Sequence, residues 1–361
     1  MYITLIIIIF ILMENNRIKV AVLYNESNPD IYLSNSAEPE KLDFVPYFDV
    51  HNSNPIEEYQ ILAEKITGLG YDSYALNVKD NLPLLFNNLE QEKPDVIFNF
   101  IELFYENPRF EMHICGLFEL LNIPYTGASP MGLANCQSKF LTKKILSSLG
   151  IKIPAHFMVS GLPFEVPKSI IYPSIVKPAS EDGSVGIEND SVVFNEEALR
   201  KRVEYVFNYY EQPVLVEQYI DGRELNVAVL GDKEPIVLPV SEIDFSNMPK
   251  ELHKIVSYQA KWDASNVAYH KTIPVCPAVL PAGIKEKIDD IAIKTFRAMD
   301  VRDYSRIDMR LTESGELFVL EVNPNPDLTE GVGFMRSADA AGYTYEETLD
   351  KIIKLAFARK K

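Results

Sequence analysis

The segments SRIDMRL (305–311) and ELFVLEVN (316–323) are separated only by Thr312 to Gly315; the first alternates polar with apolar positions, and the second is an apolar strand in which Glu321 and Asn323, two residues apart, place polar side chains on one face. Successive side chains of a strand point to opposite faces, so this period of two describes half-buried strands, and two of them joined so tightly form an antiparallel hairpin. With Ser314-Gly315 as a two-residue turn, Asp308 pairs with Glu321 and Arg306 with Asn323. Ile307 with Val322, Met309 with Leu320 and Leu311 with Phe318 then make the opposite, apolar face. The polar face gathers an arginine, two carboxylates and an amide. Opposed carboxylates repel unless positive charge stands between them. A divalent cation meets that need, since Mg2+ takes oxygen ligands such as Asp, Glu and an amide carbonyl. Arg306 and Arg310 neutralising the two acids on a solvated face meets it as well, and the spacing leaves both open.

Upstream, strand and helix patterns alternate. RIKVAVLYN reads as a strand, 57–70 as an amphipathic helix stopped by glycine, DVIFNF (95–100) as a strand and 110–122 as a helix, which predicts an α/β unit with a parallel sheet over 13–130. A second unit, 131–220, starts with a helix over 134–149 closed by Gly150, then the strand PSIVKP (173–178), a glycine-bearing loop EDGSVGI, a helix near 195–211 and the strand 213–220. A third, 221–361, holds a strand over 224–232, an irregular stretch over 240–275, a helix over 283–299 and the hairpin.

The chain of 361 residues carries a net charge of -17, which disfavours nonspecific nucleic-acid or anionic-membrane binding, because both need clustered Lys and Arg. Its three cysteines form no C-x-x-C pair, so a reducing, cytoplasmic setting is expected rather than a disulfide framework. The apolar start, residues 1–12, falls short of the span of about 20 residues that a bilayer needs. It lacks the basic lead of a signal peptide, so it is expected to be an extension ahead of Met13, with a membrane anchor as the alternative.

An anion held with Mg2+ points to a nucleotide, yet the chain has neither a G-x-x-x-x-G-K-[ST] nor a G-x-G-x-x-G motif. The segments LLNIPYTGASP, CQSKFLTKKILSSLGIKIP, PSIVKPASEDGSVGI, VLVEQYIDGREL, YQAKW, SRIDMRL and VLEVNPNPDLT occur in this order from about 118 to 330. In that order they resemble the ATP-grasp superfamily, and within it the D-alanine-D-alanine ligase family. The resemblance implies three α/β units with ATP between the middle and last. It implies Lys139 and Lys177 on the phosphates under a loop at Gly183, Ser184 and Gly186, with Lys261 reaching them from the far side. Gln218 and Ile220 would read adenine beside Glu217, and Glu224 would take the ribose. Asp308, Glu321 and Asn323 would hold Mg2+, or Mn2+ in its place. Arg306, Lys261 and Ser184 are the implied catalytic side chains, with Arg306 on the anionic intermediate. Amino-acid or peptide substrates, a homodimer, and amide formation through an acyl phosphate follow from the same resemblance.

The chain departs from the family where the amino acids should bind. The Gly-Gly and Ser-x-Glu signature near the N-terminus is replaced by YNESNPDIYL, where Glu26 is the nearest carboxylate. A serine of the phosphate loop becomes Gly183, and the tyrosine after Lys261 becomes Trp262. The glycine that should follow Pro326 is Asp327, and a serine expected on the second substrate falls on Val332. The nucleotide positions persist while the substrate positions drift, which leads to the expectation of a ligase with altered amino-acid substrates. A D-alanine-D-alanine ligase proper, and a non-catalytic ATP-binding sensor or scaffold, are the alternatives.

Overall fold

The computed structural model describes residues 17–27 and 55–360, which form two compact units. The apolar stretch 1–12 lies outside the described residues.

The first unit comprises 17–27, 55–130 and 343–360. Its sheet is parallel, with β2 (Asp72–Asn77) and β3 (Val96–Phe100) flanking the central β1 (Lys19–Tyr24), so that Val22 stands between Ala75 and Phe98. Val20 to Leu23 are wholly buried, as a central parallel strand covered on both faces requires. The helices α1 (Pro55–Gly68), α2 (Leu82–Glu92) and α3 (Glu111–Leu120) alternate with the strands. The helix Tyr345–Phe357, although it follows the 221–342 segment in sequence, belongs to this unit and packs on α1 and β3. It is fastened there by Tyr71, whose hydroxyl donates to Asp350 at 2.7 Å. Its start is a capping box in which Thr344 and Glu347 satisfy each other's backbone N–H groups.

The second unit, 131–342, opens with α4 (Pro130–Gln137) and α5 (Lys139–Ser148). The single helix expected over 134–149 is broken because the Ser138 hydroxyl caps α5, accepting from the Leu141 N–H. A four-stranded antiparallel sheet follows. Its order is β4 (His156–Val159), β7 (Val214–Gln218), β5 (Ser174–Pro178) and β6 (Val192–Val193). The helix α6 (Glu196–Tyr210) covers it through Leu199, Val203 and Val206, packed against Val176, Val214 and Val216.

The third sheet is also antiparallel. Its strands β8 (Arg223–Gly231), β9 (Ile236–Val237), β10 (Ser241–Asp244), β11 (Ile273–Val275), β12 (Asp303–Leu311) and β13 (Leu317–Asn323) run in the order β11-β10-β8-β12-β13, with β9 on β8. The stretch 240–275, expected to be irregular, holds β10 and β11 and two short helices, α7 (Tyr258–Trp262) and α8 (Val267–Lys271). Five-residue helices are too short to show an apolar period, and each depends on a side-chain cap, Ser257 and Asn266. The helices α9 (Ile284–Ala298) and α10 (Gly333–Ala340) complete the unit.

In the β12–β13 hairpin, Arg306 pairs with Asn323, Ile307 with Val322 and Asp308 with Glu321, as the alternation predicts. The next pairs differ: Met309 faces Val319 and Leu311 faces Leu317. The turn is a three-residue loop, Glu313 to Gly315, in which Gly315 takes the left-handed conformation at φ 81°. A β-bulge at Leu320 adds one residue back, so the two offsets cancel at the polar end.

Candidate active site

A cavity of about 660 Å³ opens between the two antiparallel sheets of the second unit. Lys177, Gly183, Ser184, Glu217, Gln218, Ile220, Glu224, Lys261, Arg306, Asp308, Glu321 and Asn323 all line it. They come from the ends of β5 and β7, the glycine-bearing loop, β8, α7 and the hairpin. Lys139 and Gly186 stand apart from this lining. Lys139 sits in a small recess with Asp182, Glu321 and Asn323; its ammonium donates to Asp182 at 2.9 Å and to the Glu181 carbonyl. Gly186 is a packing glycine. At φ 74° a β-carbon there would lie 2.5 Å from the Pro178 ring and 3.0 Å from Tyr210.

The hairpin delivers its polar face to the cavity as the register requires. Asp308 receives Arg306 through Nε and Nη2, both at 2.8 Å, Asn226 at 2.7 Å and Asn323 at 2.9 Å. Burial and the charge of Glu321 push its carboxyl up, yet all four contacts are donors, an arrangement that only the carboxylate satisfies. Glu321 is the reverse case. Burial would raise it, but Lys139, Lys177, Arg306 and Lys261 surround it and hold it below the usual carboxylate range. Arg310 takes no part in neutralising this pair; its Nη2 binds Glu224 at 2.6 Å and the Lys254 carbonyl at 2.5 Å. The face is enclosed rather than solvated, and among the described residues Arg306 is the cation paired with Asp308.

Among the described residues no group of three or more His, Cys, Asp and Glu side chains forms a metal site. The available donors are two carboxylates and an amide. With its nitrogen given to Asp308, Asn323 keeps its oxygen for another partner. An all-oxygen set of this kind suits Mg2+, which is commonly held by one or two carboxylates together with substrate phosphates.

Beneath the cavity floor lies a buried charge cluster. Glu217, only 2% exposed, is paired at one oxygen with Lys143 and at the other with Lys177 at 2.9 Å. Burial would raise its carboxyl, but Lys143 and then Lys177 pull it down to about 2. Burial also pushes the Lys261 ammonium down, helped by Arg306. The loop is tied in place: the Trp262 indole donates to the Gly183 carbonyl at 2.7 Å, and Ser184 donates to the Val256 carbonyl at 2.8 Å. The stretch 240–275 supplies much of one wall, including Ile243, Ile255, Val256 and Tyr269.

Three side chains in this arrangement escaped the sequence reading. Lys143 lies one turn beyond Lys139, so the i, i+4 spacing was the available signal. Asn226 lies two residues beyond Glu224 and shares its strand face. Arg336, on α10 and lining the cavity, had no pattern to mark it.

Two antiparallel sheets clasping a charged cleft beneath a glycine loop define the ATP-grasp class of fold. The family model described as D-ala D-ala ligase C-terminus matches residues 156–354. A protein of Sinorhizobium fredii called y4sG and described as uncharacterized is 33% identical over 264 residues, 73% of this chain and 75% of that one. The D-alanine-D-alanine ligase of Desulforudis audaxviator is 32% identical over 249 residues, 68% of this chain and 76% of its own. The crystal structure of D-alanine-D-alanine ligase from Bacillus anthracis complexed with ATP superposes with a TM-score of 0.67 at 22% identity, covering 95% of this chain and 99% of that one. The chain belongs to the D-alanine-D-alanine ligase family of ATP-dependent, ADP-forming ligases.

Proposed function

We propose that the chain joins a carboxylate to an amine through an acyl phosphate, and that its amino-acid substrates are not two D-alanines. The observation that carries the chemistry is the convergence of Lys177, Lys261, Arg306, Asp308, Glu321 and Asn323 on one cavity. Lys177 and Lys261 would bind the phosphates, with Lys139 released from Asp182 to join them. Glu224 would accept from the ribose, and Gln218 and Ile220 would read adenine through their backbones. A carboxylate oxygen of the first substrate attacks the γ-phosphorus and ADP leaves; the free amine of the second attacks the acyl carbon, and phosphate leaves with the carbonyl restored. Asp308, Glu321 and Asn323 would hold a divalent cation, which would supply neutralisation of the transferring phosphoryl group.

Arg306 has a defined part in this scheme. Nε and Nη2 are spent on Asp308, while a side chain at Gly333 would begin 3.8 Å from Nη1, so Nη1 faces the wall where a substrate would lie. That leaves a donor for the oxyanion of the tetrahedral intermediate. The loop with Ser184 would exclude water, against which an acyl phosphate must be guarded.

The altered-substrate part is supported by the same wall, where Val332, Gly333 and Arg336 line the cavity with Trp262 beside it at the loop. Val332 carries no hydroxyl for a substrate carboxylate. ADP release measured across a panel of D- and L-amino acids and dipeptides tests the proposal. Stimulation by D-alanine alone, with D-alanyl-D-alanine formed, would overturn the altered-substrate part. Nucleotide binding without ADP release for any pair would favour a sensor.

A further inference from the structure

Lys143 sits on the inner face of α5 with its side chain 2% exposed, and it lines neither the cavity nor the recess beside Lys139. A buried ammonium is costly unless paired and hydrogen-bonded. Its first partner is Glu217, the carboxylate that also holds Lys177. Its second is the carbonyl of Leu320, at 3.4 Å. Leu320 is the bulge residue of β13, left without a partner between the Asp308–Glu321 and Met309–Val319 pairs. Without that extra residue Glu321 would slip by one position, and a one-residue slip turns a side chain to the other face of its sheet.

We infer that Lys143 is a positioning residue for the metal-bearing strand: its ammonium holds the bulge carbonyl that keeps Glu321 opposite Asp308, and through Glu217 it anchors Lys177. One buried charge thereby joins α5, the floor of the four-stranded sheet and the end of the hairpin. The inference rests on the ligase reading above, because it assigns Mg2+ to the hairpin and phosphate to Lys177. Lys143 touches neither.

The test is calorimetric binding of a non-hydrolysable ATP analogue, with and without Mg2+, to the wild-type chain and to Lys143→Met. Methionine fills a similar volume and leaves Lys177 paired with the Glu217 carboxylate, although deleting one partner of a buried cluster lowers stability. The expected result is a lowered unfolding midpoint in a chain that still folds, while the factor by which Mg2+ tightens the analogue falls about tenfold, the usual effect of removing a residue that supports metal ligands. A merely structural lysine would lower affinity with and without Mg2+ in equal proportion. Lys143→Arg keeps the charge but shifts the donor, and stands in if the methionine variant does not fold; it too is expected to lose Mg2+ enhancement. Undiminished enhancement in either folded variant overturns the inference alone. A wild-type chain that fails to bind the analogue overturns the ligase reading together with it.

Discussion

Replacing Glu217 by Gln removes the negative charge between Lys143 and Lys177 while keeping the shape of the side chain. The two cations then face one another in an enclosed site with only an amide between them. The drop of the Glu217 carboxyl from its ordinary 4.5 to about 2 sets the scale. At about 1.4 kcal/mol for each factor of ten, it corresponds to about 3 kcal/mol of folding stability. That agrees with the roughly 3–5 kcal/mol lost when one partner of a buried ion pair is deleted. Because the folded carboxyl is the stronger acid, its contribution is complete above pH 4.5 and disappears as the pH falls towards 2. Urea unfolding followed by the fluorescence of Trp262, the only tryptophan of the chain, reports on the unit that contains the cluster. At pH 7 Glu217→Gln should lose about 3 kcal/mol, and the gap should narrow steadily below pH 4.5. Adding Lys143→Met should recover most of the loss by removing the second cation. A loss under about 1 kcal/mol at neutral pH, or one that ignores pH, would refute the assignment of Glu217 as the ionised centre of the cluster.

Other perturbations address the cleft more directly. Glu321→Ala should abolish Mg2+-dependent ADP release and leave the circular dichroism unchanged; retained turnover would separate the hairpin from the metal. Trp262→Phe keeps the ring but deletes the donor to Gly183, so protease cleavage within 180–187 should accelerate without a comparable loss of global stability. Gly186→Ala should destabilise by about 2–5 kcal/mol, combining the left-handed backbone penalty with overpacking against the rigid Pro178 ring, which a shift in the urea midpoint would measure.

The strands that frame the cleft were legible because their alternation is a local property. Asp308 opposite Glu321 and Arg306 opposite Asn323 follow from period and spacing on a two-residue turn without a bulge. The same pairs form because the longer turn and the extra Leu320 offset one another. The parallel sheet of the first unit was equally visible in the buried run of β1. Short capped helices such as α7 and α8 were not, because five residues carry too little periodicity to stand out from a loop.

By itself the sequence determined which polar side chains share a face at the open end of the hairpin and the order in which the charged segments follow one another, since strand period sets the first and the covalent chain the second. Only the tertiary structure decided which cation meets which anion across the fold: Arg310 with Glu224, and Lys143 with Glu217 in a site closed to water. Those choices depend on distances between segments far apart in the chain and on how much solvent is excluded around each charge. Neither quantity is encoded in local spacing, and both arise only once the two sheets close over the cavity between them.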